Sequence, residues 1–263
     1  MGKKKDMNYE IQTFYPLRRV ISETFSFFEK KHYIHALVEI DITKPRTFIH
    51  EHLQKAGEKL SFTAFIIYCV GKTVDENKVT HAYRKGRKKL IIFDDVDITA
   101  IVERSVDGES LPTIHITRAA NKKTLREIHE ELRAAQVEDF DISKHKNLMQ
   151  NYLKVPRFFR KLLSGRMVRN PFLAKKYSGT VILTAVGMFG QEIGWMIPYP
   201  GHSLTITVGG ITKKPGVIDG KTEIREYINI AISFDHDIID GAPAARFVSR
   251  LKEFIESGLD LNK

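Results

Sequence analysis

The chain has 263 residues, 42% hydrophobic and 28% charged, a balance that supports a folded core and excludes disordered, collagen-like and fibrous proteins. Its 42 Lys and Arg against 32 Asp and Glu give a net charge of +10, which favours an anionic partner without choosing between nucleic acid, a membrane surface and a phosphorylated cofactor. A single cysteine, Cys69, excludes an intrachain disulfide and fits a reducing compartment.

Residues 1–14, with Lys3, Lys4 and Lys5, read as a basic leader ahead of one domain over 15–263. The leader has no following apolar stretch, and Asp6 stands where a myristoylation motif needs Ser or Thr. No run is long and apolar enough for a membrane span, so a cytoplasmic location is expected.

The first element is a strand in YIHALVEIDI, where Ile34, Ala36, Val38, Ile40 and Ile42 share one face. Thr43 is placed to cap a helix through KPRTFIHEHLQKAG, with Pro45 in its first turn and Gly57 as its stop. Ser61 is placed to cap a second helix with Phe62, Phe65, Ile66, Cys69, Val70 and Thr73 on its apolar face. Cys69 therefore reads as a small core residue.

Strands are expected at 97–103, 180–186, 203–208 and 224–234. A third helix in LREIHEELRAAQ buries Leu125, Ile128, Leu132 and Ala135. A last helix in AARFVSRLKEFIESG buries Phe247, Leu251, Phe254 and Ile255 and stops at Gly258. Helices and strands mix without strict alternation, which predicts a two-layer α/β domain, an α+β sandwich with a mixed sheet and helices on one side.

The chemistry concentrates in ISFDHDIIDGAPAARF. His236 keeps the parity of Ile230, Ile232 and Phe234 just past a strand end, and Asp240 and Gly241 follow in a turn before a helix. A general base needs a near-neutral side chain and rigid neighbours, which this pattern supplies. The spacing taken alone favours a capped loop histidine over a base.

The segment SFDHDIIDGAPAARFVSRLKEFIE resembles the C-terminal signature of the 2-oxo acid dehydrogenase dihydrolipoyl acyltransferases and, more distantly, chloramphenicol acetyltransferase. Upstream, YPLRRVIS, KLSFTAFIIYCVGKTV, ITAIVERSVDGESLPTIHI and LTAVGMFG are similar, in the same order, to further family segments. The resemblance implies a chloramphenicol-acetyltransferase-like fold and a CoA-dependent acyltransferase. Its expected catalytic residues are His236 as base, Asp240 bracing the turn with Gly241, Arg18 pairing with that aspartate, and Thr184 where the family has an oxyanion-binding serine. It also implies a homotrimer in which His236 faces Thr184 of the neighbouring subunit.

Thr184 keeps the hydroxyl but is also an ordinary strand residue, and Asp237, where the family commonly has arginine, sets an acid beside the base in sequence. The substrate implied is coenzyme A or acyl-CoA, with a dihydrolipoyl-type thiol or a hydroxyl as acceptor. With no covalent lipoyl site expected in this chain, a lipoyl or other acyl carrier would act in trans. The basic run RKGRKK at 84–89 suits phosphates of coenzyme A. No metal site is expected, since His50 and His52 face different ways on a helix, and no nucleic-acid motif is present.

Within 150–176, NYLKVPRFFRKLLSGRMVRNPFLAKK carries eight Lys or Arg and no acid among large apolar residues. It reads as a solvated helix pair, or as a basic amphipathic surface for an anionic membrane, acidic carrier or lipid-like acceptor. The rival functions are a catalytically weak trimeric scaffold or acyl-CoA-binding module, and an antibiotic O-acetyltransferase.

Overall fold

A six-stranded mixed sheet carries the chain in the order β1-β8-β7-β6-β4-β5. The structure is a computed structural model that describes residues 10–12, 19, 22–23, 25–27, 31–58, 60–106, 109–137, 151–187 and 194–261. The strands are β1 (Tyr33–Asp41), β4 (Ile98–Val106), β5 (Glu109–Thr117), β6 (Val181–Ala185), β7 (Leu204–Ile218) and β8 (Lys221–Asp235). A short ribbon, β2 (Tyr83–Lys85) with β3 (Lys89–Ile91), stands apart. The helices are α1 (Thr43–Ala56), α2 (Phe62–Glu76), α3 (Leu125–Val137), α4 (Arg157–Arg169), α5 (Pro171–Ser178) and α6 (Gly241–Ser257).

β6 runs parallel to both β4 and β7, and the remaining pairs are antiparallel, which is the mixed sheet expected. Alternation sends Ile206, Ile230, Ile232 and Phe234 to the helical layer, where they are buried. α2 lies at the centre of that layer between α3, α6 and the sheet, so it is buried almost all round rather than on one stripe. The Phe234 and Phe247 rings meet edge to face at 5.5 Å, joining β8 to α6. A fully buried Phe contributes roughly 1.5–3 kcal/mol, so this pair anchors the strand end that leads into the turn at His236. Cys69 is fully buried and burial pushes its thiol pKa up, consistent with a core residue.

Two expectations need correction. Thr43 is the first helical residue of α1 rather than its cap. The carboxylate of Asp41 accepts from the Thr43 N–H at 2.9 Å, and the Thr43 hydroxyl instead accepts from the Glu226 N–H. Second, β7 runs well past the expected strand end at residue 208, to Ile218 and a turn at Asp219 and Gly220, while β8 lies within three residues of the expected strand; Ile224 sits on this projecting hairpin and is 77% exposed. No helix among the described residues is long and apolar enough to cross a membrane.

Candidate active site

His236 sits in the first turn position after β8. Its N–H donates to the His32 carbonyl at 2.7 Å, continuing the β1–β8 pairing by one bond and fixing the backbone from which the imidazole projects. The Asp235 carbonyl then accepts from both Ile238 and Ile239, and the Asp235 side chain accepts from the Asp237 N–H at 3.1 Å and pairs with Lys31 at 2.9 Å. The turn is thus closed by one buried carboxylate before α6 begins at Gly241.

The imidazole of His236 is 42% exposed, and its Nδ1 lies 3.8 Å from Oδ1 of Asp240, which caps α6 through its backbone and is itself open to solvent. At that distance the two side chains are near neighbours without a hydrogen bond between them. Arg18, the residue expected to pair with Asp240, lies outside the described residues, as do residues 188–193 of the GMFGQEIG stretch.

Asp237 does not act beside the base as its sequence position implied. His32 donates through Nδ1 to its Oδ1 at 3.0 Å, and Arg84 donates through Nη1 to its Oδ2 at 2.8 Å. The hydrogen bond from His32 and the charge of Arg84 hold the Asp237 carboxyl below the usual carboxylate range. Arg84 belongs to the RKGRKK run, so that run is partly committed to the turn. Lys85 also lies over the Phe172 ring, 5.7 Å from its centroid. Only the basic run itself hinted at this clamp; His32 carried no sequence signal.

Thr184 stands elsewhere on the same sheet. It is paired with Thr207, and Thr207 with Ala231, so it lies two strands across and five residues back from His236. At about 3.4 Å per residue and about 4.8 Å per strand, the two side chains of one subunit are roughly 20 Å apart. Thr184 Oγ1 donates to Thr207 Oγ1 at 3.1 Å, on the face opposite the helical layer. Gly187, just beyond β6, lies so close to the Gly209 carbonyl that any Cβ there would collide with it, which locks the end of β6 against β7.

A cleft of about 390 Å³ opens beside the turn, lined by Lys31, Arg84, Arg169, Ser203, Asp235 and Asp237. Two of its cations are paired in place, Lys31 with Asp235 and Arg84 with Asp237, which leaves Arg169 as the lining cation outside those pairs. The residues that reach the cleft from α4 belong to the basic segment. Within that segment Arg160 is not a free cation: it forks onto Glu23 at 2.6 and 3.1 Å and donates to the Leu153 and Val155 carbonyls, pinning α4 to the body.

A two-layer α/β domain with a histidine turn at the end of its long antiparallel hairpin is the fold of dihydrolipoyl acyltransferase catalytic cores. It matches the structure of a probable dihydrolipoamide acetyltransferase from Listeria monocytogenes with a TM-score of 0.70 and 21% identity over 97% of both chains. The cubic core of a pyruvate dehydrogenase multienzyme complex matches with a TM-score of 0.68 and 17% identity, over 100% of this chain and 99% of that one.

Residues 173–261 match the family model of the 2-oxoacid dehydrogenases acyltransferase (catalytic domain), the stretch that holds Thr184, His236, Asp240 and Gly241. The chain's homologues are dihydrolipoyl acyltransferases. The human mitochondrial dihydrolipoyllysine-residue succinyltransferase component of the 2-oxoglutarate dehydrogenase complex is 23% identical over 228 residues, 83% of this chain and 42% of that protein. The Bacillus subtilis lipoamide acyltransferase component of the branched-chain alpha-keto acid dehydrogenase complex is 25% identical over 84% of this chain and 46% of its own length. The chain thus spans less than half the length of these two relatives.

Proposed function

We propose that this chain is a CoA-dependent acyltransferase that moves an acyl group between coenzyme A and a dihydrolipoyl-type thiol, with residues 15–263 as one catalytic domain and the lipoyl group carried in trans. The observation that carries the reading is His236, held at a strand end by its backbone bond to His32 and followed by Asp240 and Gly241, within the stretch that matches the acyltransferase catalytic domain.

A thiol is mostly protonated at neutral pH, so attack requires a base. Nε2 of His236 takes the S–H proton as the sulfur forms its bond to the thioester carbonyl carbon. The resulting oxyanion needs a donor, and Thr184 supplies one only from a second subunit, because the two residues of one chain are far too distant. Collapse breaks the original C–S bond, and His236 returns the proton to the leaving sulfur. No acyl-enzyme forms. This arrangement calls for active sites shared between subunits, which a homotrimer would supply, and coenzyme A is a substrate rather than a resident cofactor.

The test is transfer between acetyl-CoA and dihydrolipoamide, followed by chromatographic separation of coenzyme A and S-acetyldihydrolipoamide, since total free thiol does not change in the reaction. Loss of about two to four orders of magnitude in kcat for His236→Ala, with the melting temperature unchanged, supports the reading. Unaltered turnover in that variant refutes it.

A further inference from the structure

The solvent face of α4 departs from what a solvated helix presents. Phe158 is 73% exposed, Leu162 63% and Leu163 64%, with Phe159 beside them. Large exposed apolar side chains set next to one another mark a binding surface rather than a chance distribution. They line a groove of about 970 Å³, within the size range of ligand sites. Among the described residues its charged lining is Lys85, Lys161, Arg166 and Arg169, with no carboxylate.

The groove is continuous with the cleft at the catalytic turn. Phe27, Arg169 and Pro171 line both, and the Phe27 ring packs directly on Gly165 at the bend between them. The cleft in turn ends on Asp235 and Asp237, the two neighbours of His236, whose Cα atoms lie about 3.8 Å from that of the histidine.

An apolar trough whose charged lining among the described residues is cationic, joined to a cleft that borders the histidine turn, complements a molecule with an alkyl tail, an anionic headgroup and a reactive carbonyl between them. We infer that the groove selects the acyl group, holding the alkyl chain of a medium- or long-chain acyl-CoA against α4 while Lys85, Arg166 and Arg169 face its phosphates. This rests on the function proposed above and names the substrate class of the same site.

The experiment measures kcat/KM for acetyl-, octanoyl- and palmitoyl-CoA with dihydrolipoamide, below the micelle concentration of each thioester. In parallel, equilibrium binding of palmitoyl-CoA and free coenzyme A is measured on the full-length His236→Ala chain. Full burial of a methylene is worth roughly fourfold in affinity, and burial in an open groove less, so palmitoyl-CoA is expected to bind at least about tenfold more tightly than coenzyme A. The octanoyl-to-acetyl ratio of kcat/KM is expected to rise similarly, and Leu162→Asp and Phe158→Ser are each expected to bring both ratios towards one.

The binding arm needs no turnover, so it stands if the transferase reading fails, and acetyl transfer without chain-length dependence would separate the two failures. A flat series, or ratios unchanged in both variants, overturns the inference. So does dissociation of the oligomer by Leu162→Asp, which would assign the face to a second copy. Preferential binding to vesicles of phosphatidylglycerol over monomeric palmitoyl-CoA would overturn it in favour of a membrane surface.

Discussion

The carboxylate of Asp237 lies 2.8 Å from Nη1 of Arg84 and lines the cleft beside the histidine turn. With His32 on its other oxygen, it ties the β2–β3 ribbon and the start of β1 to the turn that presents the base. The acid next to His236 in sequence thereby fastens the turn through two partners far away in the chain.

Loosening that tie should slow the reaction more than it unfolds the protein. Arg84→Ala is expected to lower kcat about tenfold through misplacement of His236, with little change in melting temperature. Both side chains are partly exposed, so their coupling in a double-mutant cycle should be only about 0.5–1 kcal/mol. Asp237→Arg, which sets like charges together, should be worse, and the swap Asp237→Arg with Arg84→Glu should recover part of the loss.

Subunit mixing tests the shared site. Thr184→Val removes the hydroxyl at nearly constant volume and should cost about two to three orders of magnitude in kcat, whereas Thr184→Ser should retain activity. Mixed after dissociation in equal amounts, inactive Thr184→Val and inactive His236→Ala chains should regain about a quarter of wild-type activity, because that share of interfaces in a random trimer joins an intact His236 to an intact Thr184. Recovery of none would place both residues' roles within one subunit or outside catalysis.

Stability should fall on mild acidification. Burial lowers the pKa of His81 from 6.5 to about 4, and burial with the nearby Lys31 does the same to His202. The native state therefore binds fewer protons than the unfolded state between these values. The stabilisation is complete above about pH 6.5 and is lost as the pH falls towards 4, at up to about 3 kcal/mol for each histidine. Urea midpoints at pH 7 and pH 5 should show the drop, and His202→Phe should flatten the slope.

Asp97 is the buried charge on which the lower sheet edge depends. Burial raises its carboxyl pKa, but hydrogen bonds from Lys175, the Ala119 N–H and Arg118 outweigh that and hold it below the usual range. Asp97→Ala leaves these donors without their acceptor and should cost about 3 kcal/mol in chemical denaturation. Turnover below the transition temperature should persist, since Asp97 lies outside the catalytic turn.

Local patterning made much of the fold legible. The alternation in YIHALVEIDI, the Ser61 cap, the stop glycines Gly57 and Gly258, and the buried set Phe247, Leu251, Phe254 and Ile255 all stand where sequence reasoning put them. The far end of β7 was not legible, because a hairpin arm lacking core contacts loses the alternation by which strands are read. In the site, His236 with Asp240 was visible as a short-range motif. The partners of Asp237 were not, since His32 and Arg84 lie 205 and 153 residues away and meet it only through sheet closure.

The Arg160–Glu23 fork also sets a rule for anyone rebuilding this protein. One guanidinium fastens α4 to residue 23 and spends its remaining donor on two carbonyls of the approach to α4, so the groove helix and the early chain form a single transplantable unit. A chimera that trades α4 without the segment around Glu23 would strand a carboxylate at the seam and misalign the trough, whereas exchanging both together should carry acyl preference from one scaffold to another.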